Sequence, residues 1–542
     1  MKGSDPAHLR RTGALVALLG LAGLAVHTYA QPGSSPRAVQ ITQTDYLKAS
    51  NTDADDHFGC GGVLQGHTGQ GVALSADGTT MAVGAPHEAG GSPGINGNQR
   101  DNSLFDAGAA YVFTRKGEHW VQQAYVKASN PRSSSEFGHA AALSADGNTM
   151  VVSAFWEPSN AKGINGDQKD ESIPQAGAVY VFTRRGTTWT QQAYIKASNT
   201  GEAGTADAFG DGDQFGFSIA LSGDGNTLAV GALTEDSAAT GINGNQADNS
   251  AQSAGAVYVF TRTRTTWSQQ AYVKSAQMDA GDLFGYAVAL TVDGNILAVG
   301  AFDEDGSART INGPTDNRAN GSGAAYVFTR TGTTWAQQAY IKPSNGEAQD
   351  SFGVALAFND DGTTLLVGSL DEDCDATGVN AAPCDNDQKE DVSMGAAYVF
   401  VRSDTTWSQQ AFMKASNTGF NDWFGSKIAL NGDGNIAVIG ASLEDSNAKG
   451  INGNQKDESA TEAGAAYLFV RTGTTWIQEA YIKGSNTEAY DEFGSSLALD
   501  RGGRTLVVSA RGEDGGGRGE GGKQADNSVE EAGAAYVFRI SQ

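Results

Sequence analysis

The stretch from Asp213 to Lys274 decides the fold, because nearly all of the chain is a copy of it. It opens with Asp213-Gln214-Phe215-Gly216 and runs into an apolar strand ending at Leu221. Gly223-Asp224-Gly225-Asn226 then turns the chain into a second apolar strand, Leu228-Ala229-Val230-Gly231-Ala232. A long polar loop follows, holding Glu235-Asp236 and Gly241-Ile242-Asn243-Gly244-Asn245-Gln246. Gly255-Ala256-Val257-Tyr258-Val259-Phe260 is the third strand; Trp267 opens a fourth that ends Gln269-Gln270-Ala271-Tyr272-Val273-Lys274. Each run is short and bounded by turn residues, and none carries the helical period.

The unit recurs seven times. Its third-strand tyrosine falls at Tyr111, Tyr180, Tyr258, Tyr326, Tyr398, Tyr467 and Tyr536, at spacings of 69, 78, 68, 72, 69 and 69. Tryptophan opens the fourth strand at Trp120, Trp189, Trp267, Trp335, Trp407 and Trp476. A fixed period with four strands per repeat is the signature of blades arranged around an axis. The two ends are out of phase with the unit: Tyr46-Leu47-Lys48-Ala49-Ser50 matches a fourth strand, and Gly533-Ala534-Ala535-Tyr536-Val537-Phe538 a third. Pairing them completes the last blade and hides two sheet edges. The reading is an all-β, seven-bladed β-propeller of four-stranded antiparallel blades, closed by pairing of the N-terminal strand with the C-terminal blade.

Charge narrows the partners. The net charge of −26 over 542 residues argues against nucleic acid, whose phosphates call for Lys and Arg clusters. The 72 glycines lack a collagen period and read as turns. Lys2, Arg10 and Arg11, the apolar run Gly13 to Val26 and Thr28-Tyr29-Ala30 before Gln31 resemble a secretory signal. The boundaries drawn are a signal peptide at 1–30, a linker at 31–41 and the propeller at 42–542. No later run is long and apolar enough to span a bilayer as a helix. The mature chain is therefore expected to be exported to the periplasm, the cell surface or the medium, and to act as a monomer.

The Phe-Gly pairs Phe137-Gly138, Phe215-Gly216, Phe284-Gly285, Phe352-Gly353, Phe424-Gly425 and Phe493-Gly494, with Gly84-Ala85-Pro86, resemble the FG-GAP repeats of integrin α-chain propellers and bacterial integrin-like proteins. Phe58-Gly59 is set back from its strand by about ten extra residues, Cys60 to Gly69. The resemblance implies a propeller and an extracellular ligand. It would also place calcium in the first hairpin, but Met81, Met150, Leu228, Leu297, Leu365, Ala437 and Leu506 stand where the last carboxylate is required, so that site does not carry over. Asp236, Asn243, Asn245 and Asp248 are the oxygen-rich alternative for calcium, with counterparts near Asn96, Asn165 and Asn452. Their plainer role is turn formation.

Two charges repeat in phase: Glu88, Glu157, Glu235, Glu304, Glu372, Glu444 and Glu513 after the second strand, and Lys48, Lys127, Lys196, Lys274, Lys342, Lys414 and Lys483 ending the fourth. Seven copies read as structural staples, worth ~0–1 kcal/mol each if exposed. Departures from the repeat are where a single site belongs. His57, His87 and His139 are expected on one face with Glu88, a set that could hold a metal. Cys374 and Cys384 are a disulfide candidate under export. Gly90-Gly91-Ser92-Pro93-Gly94 matches a nucleophile elbow only in letters, since no helix follows it. The function expected is a non-catalytic binding or adhesion module for an extracellular protein or glycan. A hydrolase or lyase acting on glycans or phospholipids, or a structural envelope protein, are the alternatives.

Overall fold

In the computed structural model the described residues are 39–60, 63–64, 67–201, 212–381 and 392–541. The proposed signal peptide lies outside them, as does Cys384; Cys374 is buried. No helix among the described residues is long and apolar enough to cross a membrane.

Seven four-stranded antiparallel sheets form the blades. The third is typical: Phe215–Leu221, Thr227–Ala232, Ala256–Thr263 and Thr266–Val273, in that order from the axis outward. The first three strands are largely buried because neighbouring blades cover both faces, whereas the fourth keeps exposed and half-buried positions. The seventh blade is composite: Phe493–Leu499, Thr505–Ala510 and Ala534–Ser541 are completed by Gln40–Leu47 from the other end of the chain. The borrowed strand begins at Gln40, two residues before the expected boundary.

Glycine sets the tight places. Gly216 has φ +99, and a Cβ on Gly255 would meet the Phe284 carbonyl oxygen of the next blade at 2.2 Å, so Phe-Gly and Gly-Ala-Val-Tyr are backbone requirements. In the first hairpin only Gly225 is left-handed. Asp224 instead caps the turn, its Oδ1 accepting from Ser222 Oγ at 2.6 Å and Asn226 N at 2.9 Å. Phe215 meets Tyr258 and Phe260 edge-on at 5.4 and 6.0 Å, an aromatic wedge that every blade repeats.

Both ends of the ring are tied. On the hairpin face Ala76 N donates to Ala145 O, Ala145 N to Gly223 O and Gly223 N to Val292 O. Asp360 N donates to Gly432 O, Gly432 N to Arg501 O and Arg501 N back to Ala76 O, joining blade seven to blade one. Outside this belt Arg262 lies over Trp267 at 5.2 Å, and both donate to Gln192 of the preceding blade at 3.1 Å.

Candidate functional site

The opposite face carries the long second-to-third-strand loops and the links into each Phe-Gly. Its repeated charges do not stand out in solvent. Lys274 is fully buried and Glu235 1 % exposed. The Glu235 carboxylate accepts from Lys274 Nζ at 3.0 Å, Tyr272 OH at 2.8 Å, Ser237 N at 3.1 Å and Asn199 Nδ2 of the preceding blade at 3.0 Å. The other six pairs close at 2.6–2.9 Å. The expectation of weak exposed staples is corrected here: the loop folds over the carboxylate. Removing one partner then strands a buried charge. The sequence signal for the inter-blade link was the Asn of Lys-(Ala/Gly)-Ser-Asn, as in Asn51, Asn130, Asn199, Asn417 and Asn486.

A second motif was also in phase: aspartate two residues before the phenylalanine of Asp-x-Phe-Gly counts back to Asp56, Asp213, Asp282, Asp350, Asp422 and Asp491. Each carboxylate closes its link by accepting a backbone N–H, for example Asp53 N to Asp56 at 2.9 Å and Gly419 N to Asp422 at 2.7 Å. Burial and the nearby Glu88, Glu304, Glu372 and Glu444 push Asp56, Asp282, Asp350 and Asp422 up to about 8. Asp213 reaches about 8 and Asp491 about 7 for the same reasons.

The residue between Asp and Phe-Gly follows another rule. His57, Glu136, Gln214, Leu283, Ser351, Trp423 and Glu492 all have φ between 51° and 59°, a conformation that costs an L-residue roughly 1–2 kcal/mol. Each is held by its own N–H donating to the preceding blade's loop, at Glu531, Asp106, Gln175, Ser253, Gly321, Ser393 and Glu462 respectively. The backbone is identical seven times and the side chain differs in nearly every blade. Left-handed residues of this kind, held by surrounding structure, concentrate at binding sites.

Around this ring the polar side chains gather where blades seven and one meet. His57 Nε2 lies 2.8 Å from Glu531 Oε2, and the His57 ring packs on His87 at 4.5 Å. Burial pulls both imidazoles down to about 4. Arg511 makes a bidentate pair with Glu492. His139 is brought elsewhere, into the channel, stacked on Phe155 at 4.0 Å with Nε2 3.0 Å from the Phe217 carbonyl oxygen. Burial takes it down to about 3. Glu88 belongs to its staple. The expected set of His57, His87, His139 and Glu88 therefore divides, and Asp55 and Glu531 replace the last two beside His57.

Asp236, Asn243, Asn245 and Asp248 are engaged in the turns of their loop. Asp236 Oδ1 accepts from Ser253 N at 2.9 Å, Asn243 Oδ1 from Tyr272 N at 2.9 Å, Asn245 Oδ1 from Ala247 N at 3.2 Å and Asp248 Oδ1 from Ser250 N at 3.1 Å. The Asn243 bond repeats at Asn96, Asn165, Asn312, Asn380 and Asn452, which makes it a fastening of loop to fourth strand. Ser92, of the letter-match to a nucleophile elbow, donates to Asp101 at 3.1 Å within a loop.

Four segments, 267–328, 335–400, 407–469 and 476–538, match the model of the FG-GAP repeat. The chain is an FG-GAP repeat β-propeller. Among solved structures it is similar to the periplasmic gluconolactonase PpgL of Pseudomonas aeruginosa, at 12% identity and a TM-score of 0.44, over 83% of this chain and 98% of that one. It is also similar to the WD40 repeats of RRP9, at 8% identity and a TM-score of 0.42, over 92% of this chain and 100% of that one. No curated protein matches it in sequence.

The channel of this FG-GAP propeller is filled. Phe155, Phe217, Leu233, Tyr286, Phe302, Val354 and Leu370 pack across it, leaving about 70 Å³ lined by residues including Tyr286, Lys427 and Leu497. That volume is far below the ~300 Å³ of a small-molecule pocket. Space of ligand size lies on the long-loop face instead. A groove of about 670 Å³ runs between blades one and two past Pro93, Leu104, Pro131, Arg132 and Lys169. A cleft of about 330 Å³ between blades four and five is lined by Asp303, Glu347, Asp350, Asp371 and Asp373. Three large apolar side chains stand out around the same face: Phe105 at 70%, Phe420 at 67% and Tyr490 at 61% exposure.

Proposed function

We propose that this propeller is an exported, non-catalytic binding or adhesion module that takes an extracellular protein or glycan on its long-loop face. The observation that carries the reading is the placement of Phe105, Phe420 and Tyr490. They sit largely exposed on the loops and links framing the left-handed ring, where the repeat requires no aromatic. Exposed aromatics on a rigid support are what contact surfaces and sugar rings use as anchors. The groove beside Phe105 adds Pro, Arg and Lys side chains to that surface. The secretory character of residues 1–30 supports placing it outside the cytoplasm.

The test is a glycan and protein-ligand array with the purified chain, followed by titration of each hit against Phe105→Ser, Phe420→Ser and Tyr490→Ser. At least one of the three is expected to lose about tenfold or more in affinity with an unchanged melt. Hits that bind all three variants like the parent overturn the reading. The acidic cleft supports a second reading, a glycan-active hydrolase or lyase, because burial and then Asp305 hold the Asp303 carboxyl up to about 6 in a cleft that Asp371 and Asp373 also line. Turnover on an arrayed glycan that Asp303→Asn abolishes would establish it in place of the first.

A further inference from the structure

The seam of the ring departs from the repeat at three positions that meet. Asp45 pairs with Val537 in the composite blade, the place that Ala124, Ala193, Ala271, Ala339, Ala411 and Ala480 hold opposite their own third strands. Glu520 bridges Leu47 as Ile95, Ile164, Ile242, Val379 and Ile451 bridge the ends of their fourth strands. His119 opens the outer strand of blade one, where other blades have Thr188, Thr266, Thr334, Thr406 and Thr475. An alanine, an isoleucine and a threonine have become an aspartate, a glutamate and a histidine. One ligand atom from each lies within 4.8 Å of the others, and His119 Nδ1 is 2.8 Å from Glu520 Oε1.

We infer that Asp45, His119 and Glu520 form a binding site for one first-row divalent transition ion, zinc being the best fit, across the seam of the propeller. Asp45 is 7% exposed, yet its Oδ2 has no hydrogen-bond partner among the described residues. A buried carboxylate oxygen left this way is costly unless a proton or a cation meets it. One imidazole and two carboxylates are a set that zinc accepts, with a fourth position left for water. Calcium, which gathers six to eight oxygens, is poorly served by them. His119 is well exposed and Glu520 partly so, which leaves an entry path. The three ligands come from the N-terminal strand, blade one and the long loop of blade seven, so the ion would tie the chain's two ends to the blade they close against.

Isothermal titration of the chelator-treated full chain with zinc alone tests this, in a His57→Ala background that silences the Asp55, His57 and Glu531 cluster. The variants Asp45→Ala, Glu520→Ile and His119→Thr each restore what the other blades carry, so they are expected to fold. The parent should bind one equivalent and melt higher with zinc. Each reversion should weaken binding by more than the ~10-fold that loss of a mere supporting residue costs, and should abolish the rise in melting temperature. No binding by the parent at ~100 µM zinc, or affinity within about threefold of the parent in any reversion, overturns the site.

Discussion

Glu235 and Gln214 sit on the same face of the same blade and obey opposite constraints. Glu235 is buried, its carboxylate accepts four hydrogen bonds, and its equivalent is glutamate in all seven blades. Gln214 is fixed through its backbone, left-handed at φ 53 and bonded to the Gln175 carbonyl. Its equivalents are His, Glu, Leu, Ser, Trp and Glu. A buried ion pair is satisfied by one arrangement of side-chain atoms, so the residue type is dictated. A link held by main-chain bonds dictates φ and ψ only. The first region spaces the blades; the second leaves the residue type open from blade to blade, even where the side chain is buried, as Gln214 and Leu283 are.

The comparison is broken most directly by Glu235→Ala, which leaves Lys274 buried without its partner. A loss of ~3–5 kcal/mol is expected in denaturant melts, against less for the double replacement Glu235→Leu with Lys274→Met. A single-variant loss under ~1 kcal/mol would mean the staple is as weak as a surface pair.

The linking aspartates sharpen it through pH. Asp56, Asp213, Asp282, Asp350 and Asp422 titrate at about 8 and Asp491 at about 7 in the folded chain, against ~3.9 unfolded. The folded state binds these protons more tightly, so their contribution is full below ~4 and is lost as pH rises through 7–8. His57 and His87 at about 4 and His139 at about 3 act oppositely, losing their contribution as pH falls below ~6.5. Six carboxyls outweigh three imidazoles, so the melting temperature should fall from pH 5 to pH 9, and Asp213→Asn with Asp422→Asn should flatten the fall. A melting temperature that rises over that range contradicts the assignment.

The smallest effect belongs to backbone strain beside the ring. Gln349 is exposed at φ 65, where blade four already has Gly281 at φ 91. Gln349→Gly should match or exceed the parent, and exceed Gln349→Ala by about 1 kcal/mol in melts. Equal stability of the two variants would remove strain from the account.

Blade number, strand order and the borrowed strand were legible because Phe-Gly, Asp-Gly and Gly-Ala-x-Tyr-x-Phe are local signals repeated at a fixed period. Glu88 and Lys127 were legible as a pair, but their depth was not, since burial comes from the loop that folds over them. Asp-x-Phe-Gly was present to be read as well. Its left-handed middle residue was hidden because His57, Leu283 and Trp423 do not announce positive φ as glycine does.

By itself, then, the amino-acid order determined a ring of seven blades and which chain ends complete the last one, because turns and strand periods act over a few residues. Only tertiary structure decided what meets at the mouth and at the seam. Lys48 reaches Glu513 across 465 positions, and Asp45, His119 and Glu520 converge from the borrowed strand, the first blade and the seventh blade's long loop. Contacts at such separations depend on how the closed ring brings its blades into register, which no local pattern records.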